Sequence, residues 1–175
     1  MMQKLLFSGF GGQGVLTLGQ VVATMAMHKG KKVTWMPSYG AEMRGGTANC
    51  TVITSERIIG SPMVQSGFDV LCALNTPSVA KFLPKVRPGG LVLVNSSIVT
   101  EPVERDDVKT LYIDATNIAV EAGSIKVQNM VMLAGLLKAT GMFALEDVRQ
   151  ALEEKFKGSK PELVELNMVA VERGM

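Results

Sequence analysis

Two glycine-rich segments hold the residues whose types and spacing could do chemistry. The first, Gly9-Phe10-Gly11-Gly12-Gln13-Gly14, has the spacing GxGxxG. Glycine admits positive φ and lets backbone N–H groups come close to a ligand. A helix that starts directly behind such a loop adds partial positive charge at its first turn. Together these features suit a phosphate or a carboxylate; a tight strand-to-helix turn that binds nothing is the bland alternative. The second segment, Ser38-Tyr39-Gly40-Ala41-Glu42-Met43-Arg44-Gly45-Gly46, sets an acid and a guanidinium two residues apart among glycines. Arg44 could hold a carboxylate or phosphate through two parallel hydrogen bonds. The alternative there is a Glu42–Arg44 surface pair of little energetic weight.

The other reactive side chains offer less. There is one histidine, His28, and there are two cysteines, Cys50 and Cys72, without CxxC spacing. The cysteines read as reduced, buried apolar residues, and they are too few for a four-thiolate cluster. His28 falls at the end of the first expected helix, where surface or C-cap duty suits it. No nucleophile–base pair and no metal-ligand set stands out, so no catalytic residue and no metal ligand is assigned.

At 175 residues the chain fits one domain with its own core. A net charge of +2 gives neither a nucleic-acid footprint nor an acidic tail. No run reaches about 18 apolar residues, so no membrane span is expected. Met1-Met2-Gln3-Lys4 leads straight into a strand-like run rather than a secretion signal. A cytoplasmic protein is the expectation.

The elements that would position the two segments follow from periodicity. Gln3–Ser8 reads as a buried strand leading into the first glycine loop. Val15, Leu18, Val22 and Met25 then recur at helical spacing up to His28, with Gly30 closing the helix. Lys32–Met36 is a second strand ended by Pro37, and Thr47–Thr54 is a third, rich in β-branched residues. Ile58–Ser66 reads as a short hairpin arm. Asp69–Leu74 and Leu91–Asn95 are continuous apolar runs, the mark of strands buried on both faces of a parallel sheet. Pro77–Leu83 is a helix between them, stopped by Pro84, Pro88 and Gly89-Gly90. Thr110–Asp114 is a further strand, followed by a helix over Ala115–Ala122. Asn129–Thr140 is a helix apolar nearly all round, a helix with Leu145, Val148, Leu152 and Phe156 on one face follows, and Ser159-Lys160-Pro161-Glu162 opens a last one. Strands alternating with helices imply a single α/β domain: a doubly wound, mostly parallel, Rossmann-like sheet flanked by helices.

A dinucleotide reading of the loop needs an acid at the end of the second strand to hold a ribose. Thr34-Trp35-Met36-Pro37-Ser38 offers none, which weakens that reading.

GFGGQG after the first strand and SYGAEMRGGTANCTV after the second, taken together, resemble the gamma subunit family of 2-oxoacid:ferredoxin oxidoreductases. Ile59-Gly60-Ser61-Pro62, the DVLCALN and PGGLVLVN strands and the Asn129-led helix extend the likeness over essentially residues 1–175. The resemblance implies one gamma-type domain in an assembly that oxidatively decarboxylates a 2-oxoacid, makes the acyl-coenzyme A and reduces ferredoxin. It implies alpha and beta partner subunits, and in some complexes a delta subunit, with thiamine diphosphate, Mg2+ and iron–sulfur clusters on those partners. It implies that the gamma domain handles coenzyme A, closes over the active site and helps hold the subunits together. Gly9, Gly11, Gly12, Gln13 and Gly14 would face a phosphate-bearing or pantetheine group, and Ser38, Tyr39, Glu42, Arg44, Gly45 and Gly46 would line the same crevice. The SYGAEMRGG form looks closer to 2-oxoglutarate or branched-chain members than to pyruvate ones. A stand-alone dinucleotide-binding protein and a purely structural subunit remain the other readings.

Overall fold

The computed structural model describes residues 1–39, 47–158 and 161–175 of the chain. Strand β1 (Gln3–Phe10) runs through the glycine loop into helix α1 (Val15–His28). Strands β2 (Lys32–Tyr39), β3 (Thr47–Ser55) and β4 (Phe68–Ala73) follow, then helix α2 (Thr76–Phe82) and strand β5 (Val86–Asn95). Strand β6 (Lys109–Ile113) leads to α3 (Ala115–Glu121), α4 (Gln128–Thr140), α5 (Leu145–Lys155) and α6 (Pro161–Gly174).

The six strands form one sheet in the order β2-β3-β1-β4-β5-β6. Strands β1, β4, β5 and β6 pair in parallel, whereas β3 is antiparallel to both β1 and β2. The expected mostly parallel α/β sheet is therefore present, with β3 as its one reversed strand. The connection explains the reversal. Only residues 40–46 separate β2 from β3, and a parallel crossover needs about a dozen residues or more. Strand β2 also runs past Pro37, where the sequence pattern ended it; an edge strand tolerates a residue without N–H. Strand β5 starts earlier than its apolar run, with a register shift opposite Phe68–Val70 and Gly89 at φ 73. The hairpin arm expected over residues 58–66 does not form; the stretch is irregular, and Val64 anchors it to the core. The expected capping residues Ser159 and Lys160 lie outside the described residues.

The two faces of the sheet are covered unequally. Leu5, Phe7, Cys50, Val52, Val70, Cys72 and Leu93 belong to one core with α1 and α4, which lie on that face of the sheet, and with α3, α5 and α6 packed around those two helices. Leu6, Leu71, Val92 and Val94 meet Phe82 of α2 and Val99 on the other. Helix α4 is apolar on nearly every side because it lies between the sheet and α6, not at the surface. Among the described residues no helix is long and apolar enough to cross a membrane.

Candidate functional site

The connection leaving β1 goes to one face of the sheet and the connection leaving β4 goes to the other, yet β1 and β4 are neighbours. Open α/β sheets place ligands outside the carboxyl ends of the strands at such a switch point. The glycine loop occupies that position.

Its glycines have separate duties. A Cβ on Gly9 would stand 2.7 Å from Gln13 Oε1 and 2.8 Å from Val15 Cγ2, so the strand end and helix start close tightly there. Gly12 has φ 95 and open space around it. Gly14 is the N-cap of α1 at φ 75, and a Cβ on it would stand 2.5 Å from Asn129 Nδ2. The turn is closed by Gln13 N–H donating to the Phe10 carbonyl at 3.1 Å. The N–H groups of Gly11, Gly12 and Gly14 meet no acceptor among the described residues. Those of the first turn of α1 lack intrahelical partners by construction.

The Gln13 side chain turns inward. Its Oε1 accepts from Phe10 N at 2.6 Å and from Asn75 Nδ2 at 3.4 Å, and its Nε2 donates to the Leu74 carbonyl at 3.2 Å. Gln13 thus ties the loop to the end of β4. Asn75, fully buried, caps α2 by accepting from Ser78 N at 2.9 Å. On the other side, Asn129 Nδ2 donates to the Gly14 carbonyl at 3.0 Å. Its neighbour Gln128 accepts from Asn95 Nδ2 at 3.3 Å and from Thr116 Oγ1 at 3.2 Å. Asp114, at the end of β6, accepts from Ser97 Oγ and from Asn117 Nδ2. A line of neutral amides therefore runs along the carboxyl edge from β1 to β5. Asn75, Asn95, Gln128 and Asn129 are parts of this edge that periodicity and motif spacing do not reveal. A signal was available: Asn75 and Asn95 each end an apolar strand run, where the chain leaves the sheet.

Ser38 is exposed on β2 and pairs across from Asn49, which pairs across from Ser8. Tyr39 pairs with Ala48, and Thr47 pairs with Phe10. Both flanks of residues 40–46 thus reach the edge that carries the glycine loop. Glu42, Arg44, Gly45 and Gly46 lie outside the described residues. Strand β3 stands between β1 and β2, so at about 4.8 Å per strand the end of β2 is roughly 10 Å from the loop. The ribose-binding corner of a dinucleotide site is displaced as well as lacking its acid.

Cys50 and Cys72 pair with Phe7 from opposite sides. Burial pushes the Cys50 thiol up to about 12, against weaker opposing contacts from Trp35 and Gly19, and raises Cys72 as well. Both are inert core thiols, and the two do not suit an iron–sulfur cluster. Among the described residues no group of three or more His, Cys, Asp or Glu could hold a metal ion. His28 sits at the end of α1 with Nε2 2.7 Å from Glu154 of α5, away from the loop. On the α2 face, a cleft of about 330 Å3 is lined by Val79, Leu83, Val99 and Val103 with Glu101 and Glu104.

Known proteins share this architecture and sequence. The subunit VorA of a ketoisovalerate oxidoreductase from Methanothermobacter thermautotrophicus is 38% identical over 173 residues, 98% of this chain and 35% of its own length. The subunit KorC of a 2-oxoglutarate synthase from Methanothermobacter marburgensis is 33% identical over 182 residues, 99% of this chain and 95% of its own. The gamma subunit of a keto/oxoacid ferredoxin oxidoreductase from Geobacter sulfurreducens superposes with a TM-score of 0.82 at 30% identity, covering 98% of this chain and 95% of that one. The 2-oxoglutarate:ferredoxin oxidoreductase of Magnetococcus marinus, solved with 2-oxoglutarate, coenzyme A and succinyl-CoA bound, superposes at 0.88 with 25% identity. That match covers 99% of this chain and 30% of the Magnetococcus chain. The chain therefore spans about a third of the VorA and Magnetococcus chains and nearly the whole of the KorC and Geobacter ones. The family described as pyruvate ferredoxin/flavodoxin oxidoreductase matches residues 4–175. With its glycine loop at the switch point of a six-stranded sheet, the chain belongs to that family and is of its gamma-subunit type.

Proposed function

We propose that this chain is the gamma subunit of a 2-oxoacid:ferredoxin oxidoreductase and that its crevice holds coenzyme A for chemistry carried out on partner chains. One observation carries the reading. The N–H groups of Gly11, Gly12 and Gly14, without an acceptor among the described residues, lie beside the first turn of α1, a combination suited to a phosphate group of coenzyme A. The reaction oxidatively decarboxylates the 2-oxoacid, forms the thioester with coenzyme A and passes the electrons to ferredoxin. Thiamine diphosphate with Mg2+ and the iron–sulfur clusters belong to alpha, beta and, where present, delta subunits. This chain's part is to bind, to orient and to bridge subunits in a cytoplasmic complex. A 2-oxoglutarate or branched-chain 2-oxoacid is the favoured substrate, on the form of the SYGAEMRGG segment and on relatives named for 2-oxoglutarate and ketoisovalerate; relatives named jointly for pyruvate and ketoisovalerate keep pyruvate within the same reading.

The test is coenzyme A binding to the assembled complex, by calorimetry, in Gly12→Val and Arg44→Ala variants. Gly12→Val places a branched side chain in the mouth of the loop at a φ that favours glycine. Affinity in Gly12→Val should fall by about tenfold or more, the equivalent of one charge-assisted hydrogen bond. Arg44→Ala tests the second glycine segment, and its affinity should fall as well. Unchanged affinity and turnover in both variants contradict the proposal. Tight binding of NAD(P) or FAD to the chain alone would instead favour the dinucleotide reading.

A further inference from the structure

The loop's outward N–H groups are aimed by side chains behind it. A trans peptide is planar, so fixing the direction of one carbonyl fixes the opposite direction of the N–H on the next residue. The Gly14 carbonyl accepts from Leu18 N at 2.9 Å and from Asn129 Nδ2 at 3.0 Å. Both of its lone-pair directions are used, and the N–H of Val15, in the same peptide unit, must point away from α4 and out of the helix end. The Phe10 carbonyl likewise accepts from Gln13 N, which sends the N–H of Gly11 the other way. The Gln13 side chain closes that turn from within through Phe10 N, Leu74 O and Asn75.

Asn129 is 3% exposed at the first turn of a helix whose other buried residues are almost all apolar. A buried amide is costly unless its bonds are made, and this one makes them to Gly14, 115 residues earlier in the chain, and to Met130 N. Leucine would fit a helix of this kind better on burial alone. An amide here therefore serves the loop more than it serves α4.

We infer that Asn129 and Gln13 are positioning residues: they hold the glycine loop so that the N–H groups of Val15 and Gly11 converge on the ligand's anionic group. The inference rests on the coenzyme A reading above. Gln128, next in line, carries the same helix end to Asn95 and Thr116, so the loop is held in register with the end of β5.

The experiment uses the assembled complex with Asn129→Leu, Gln13→Leu, Gly12→Val and, as a control, Asn167→Leu. Asn167 is a buried amide of α6 that donates to the Leu163 carbonyl and does not touch the loop. Two readings are taken: hydrogen exchange of the peptide over residues 9–17, and the KM and kcat for coenzyme A. Asn129→Leu and Gln13→Leu should each speed loop exchange and raise KM by about tenfold, with kcat within about twofold of the parent. Asn167→Leu should leave both readings in place. The inference is overturned if Gly12→Val raises KM and the two amide variants do not, or if Asn167→Leu acts as they do. If loop exchange rises while KM stays fixed in every variant, Gly12→Val included, the coenzyme A reading falls and Asn129 is left as a residue of the fold alone. Either amide variant suffices should the other not assemble.

Discussion

The two ends of the sheet are built from different materials. From β1 to β5 the carboxyl edge is held by neutral amides, Gln13, Asn75, Asn95, Gln128 and Asn129, all buried, and a carboxylate, Asp114, joins it only at the end of β6. At the amino edge the chain is held by charges. Asp69 accepts from Lys4 N at 2.8 Å and from Arg87 Nε at 2.5 Å, Arg105 grips Asp107, and the amino group of Met1 meets Glu56. Exposed ion pairs are weak because water and salt screen them. Buried amides are strong constraints, since an unmatched one is costly. They also carry no net charge, so a rigid edge made from them does not repel an anion. The fold places its firm, neutral construction where the glycine loop needs aiming and its screened charges where nothing must be aimed.

That contrast can be broken by substitution. The largest effect is expected at Gly14→Ala, which combines a positive φ with a Cβ 2.5 Å from Asn129 Nδ2. Strain and overpacking together should cost about 2–4 kcal/mol in denaturant unfolding; a loss under about 0.5 kcal/mol would show that the loop yields easily, against its rigid construction here. A middle effect is expected at Asp147, the buried exception among the charges near the far end of α1. Burial works to raise its pKa, but the N–H of Ala144 and the charges of Lys29 and His28 overcome this and leave its carboxyl below the ordinary range. A depressed carboxyl contributes stability that is full above its unfolded pKa and is lost as pH falls through its folded value. Asp147→Asn should therefore cost about 1–2 kcal/mol at neutral pH and less as the medium is acidified below about pH 4. A pH-independent difference between parent and variant would remove this account. The smallest effect belongs to Arg87→Ala, which should change stability by less than about 1 kcal/mol and by less still at high salt. A larger loss would mean that the amino edge is as firmly built as the carboxyl one.

Much of the fold was legible in the residues, for definite reasons. Short apolar runs bounded by turn signals, such as Leu91–Asn95, read as strands buried on both faces, and helical spacing from Val15 to His28 marked the first helix. The reversal of β3 was not legible from periodicity, because strand patterning has no direction; the short link between β2 and β3 held that information. The glycine loop was found by its spacing and stands where the spacing implied. Of the amides that aim it, Gln13 was found with the loop but read as facing a ligand, whereas its side chain turns inward, and Asn129 was not connected to the loop. Asn129 and Gly14 are distant in sequence, and nothing in a run such as NMVMLAGLLKAT says which carbonyl its first amide will reach.

The most direct test of the account is hydrogen exchange of the peptide over residues 9–17 in the intact complex, with and without coenzyme A. Coenzyme A should slow exchange at Gly11, Gly12 and the first turn of α1 in the parent protein, and much less in Gly12→Val. Coenzyme A that binds and turns over while exchange in this peptide stays unchanged would contradict the placement of its phosphate at the glycine loop.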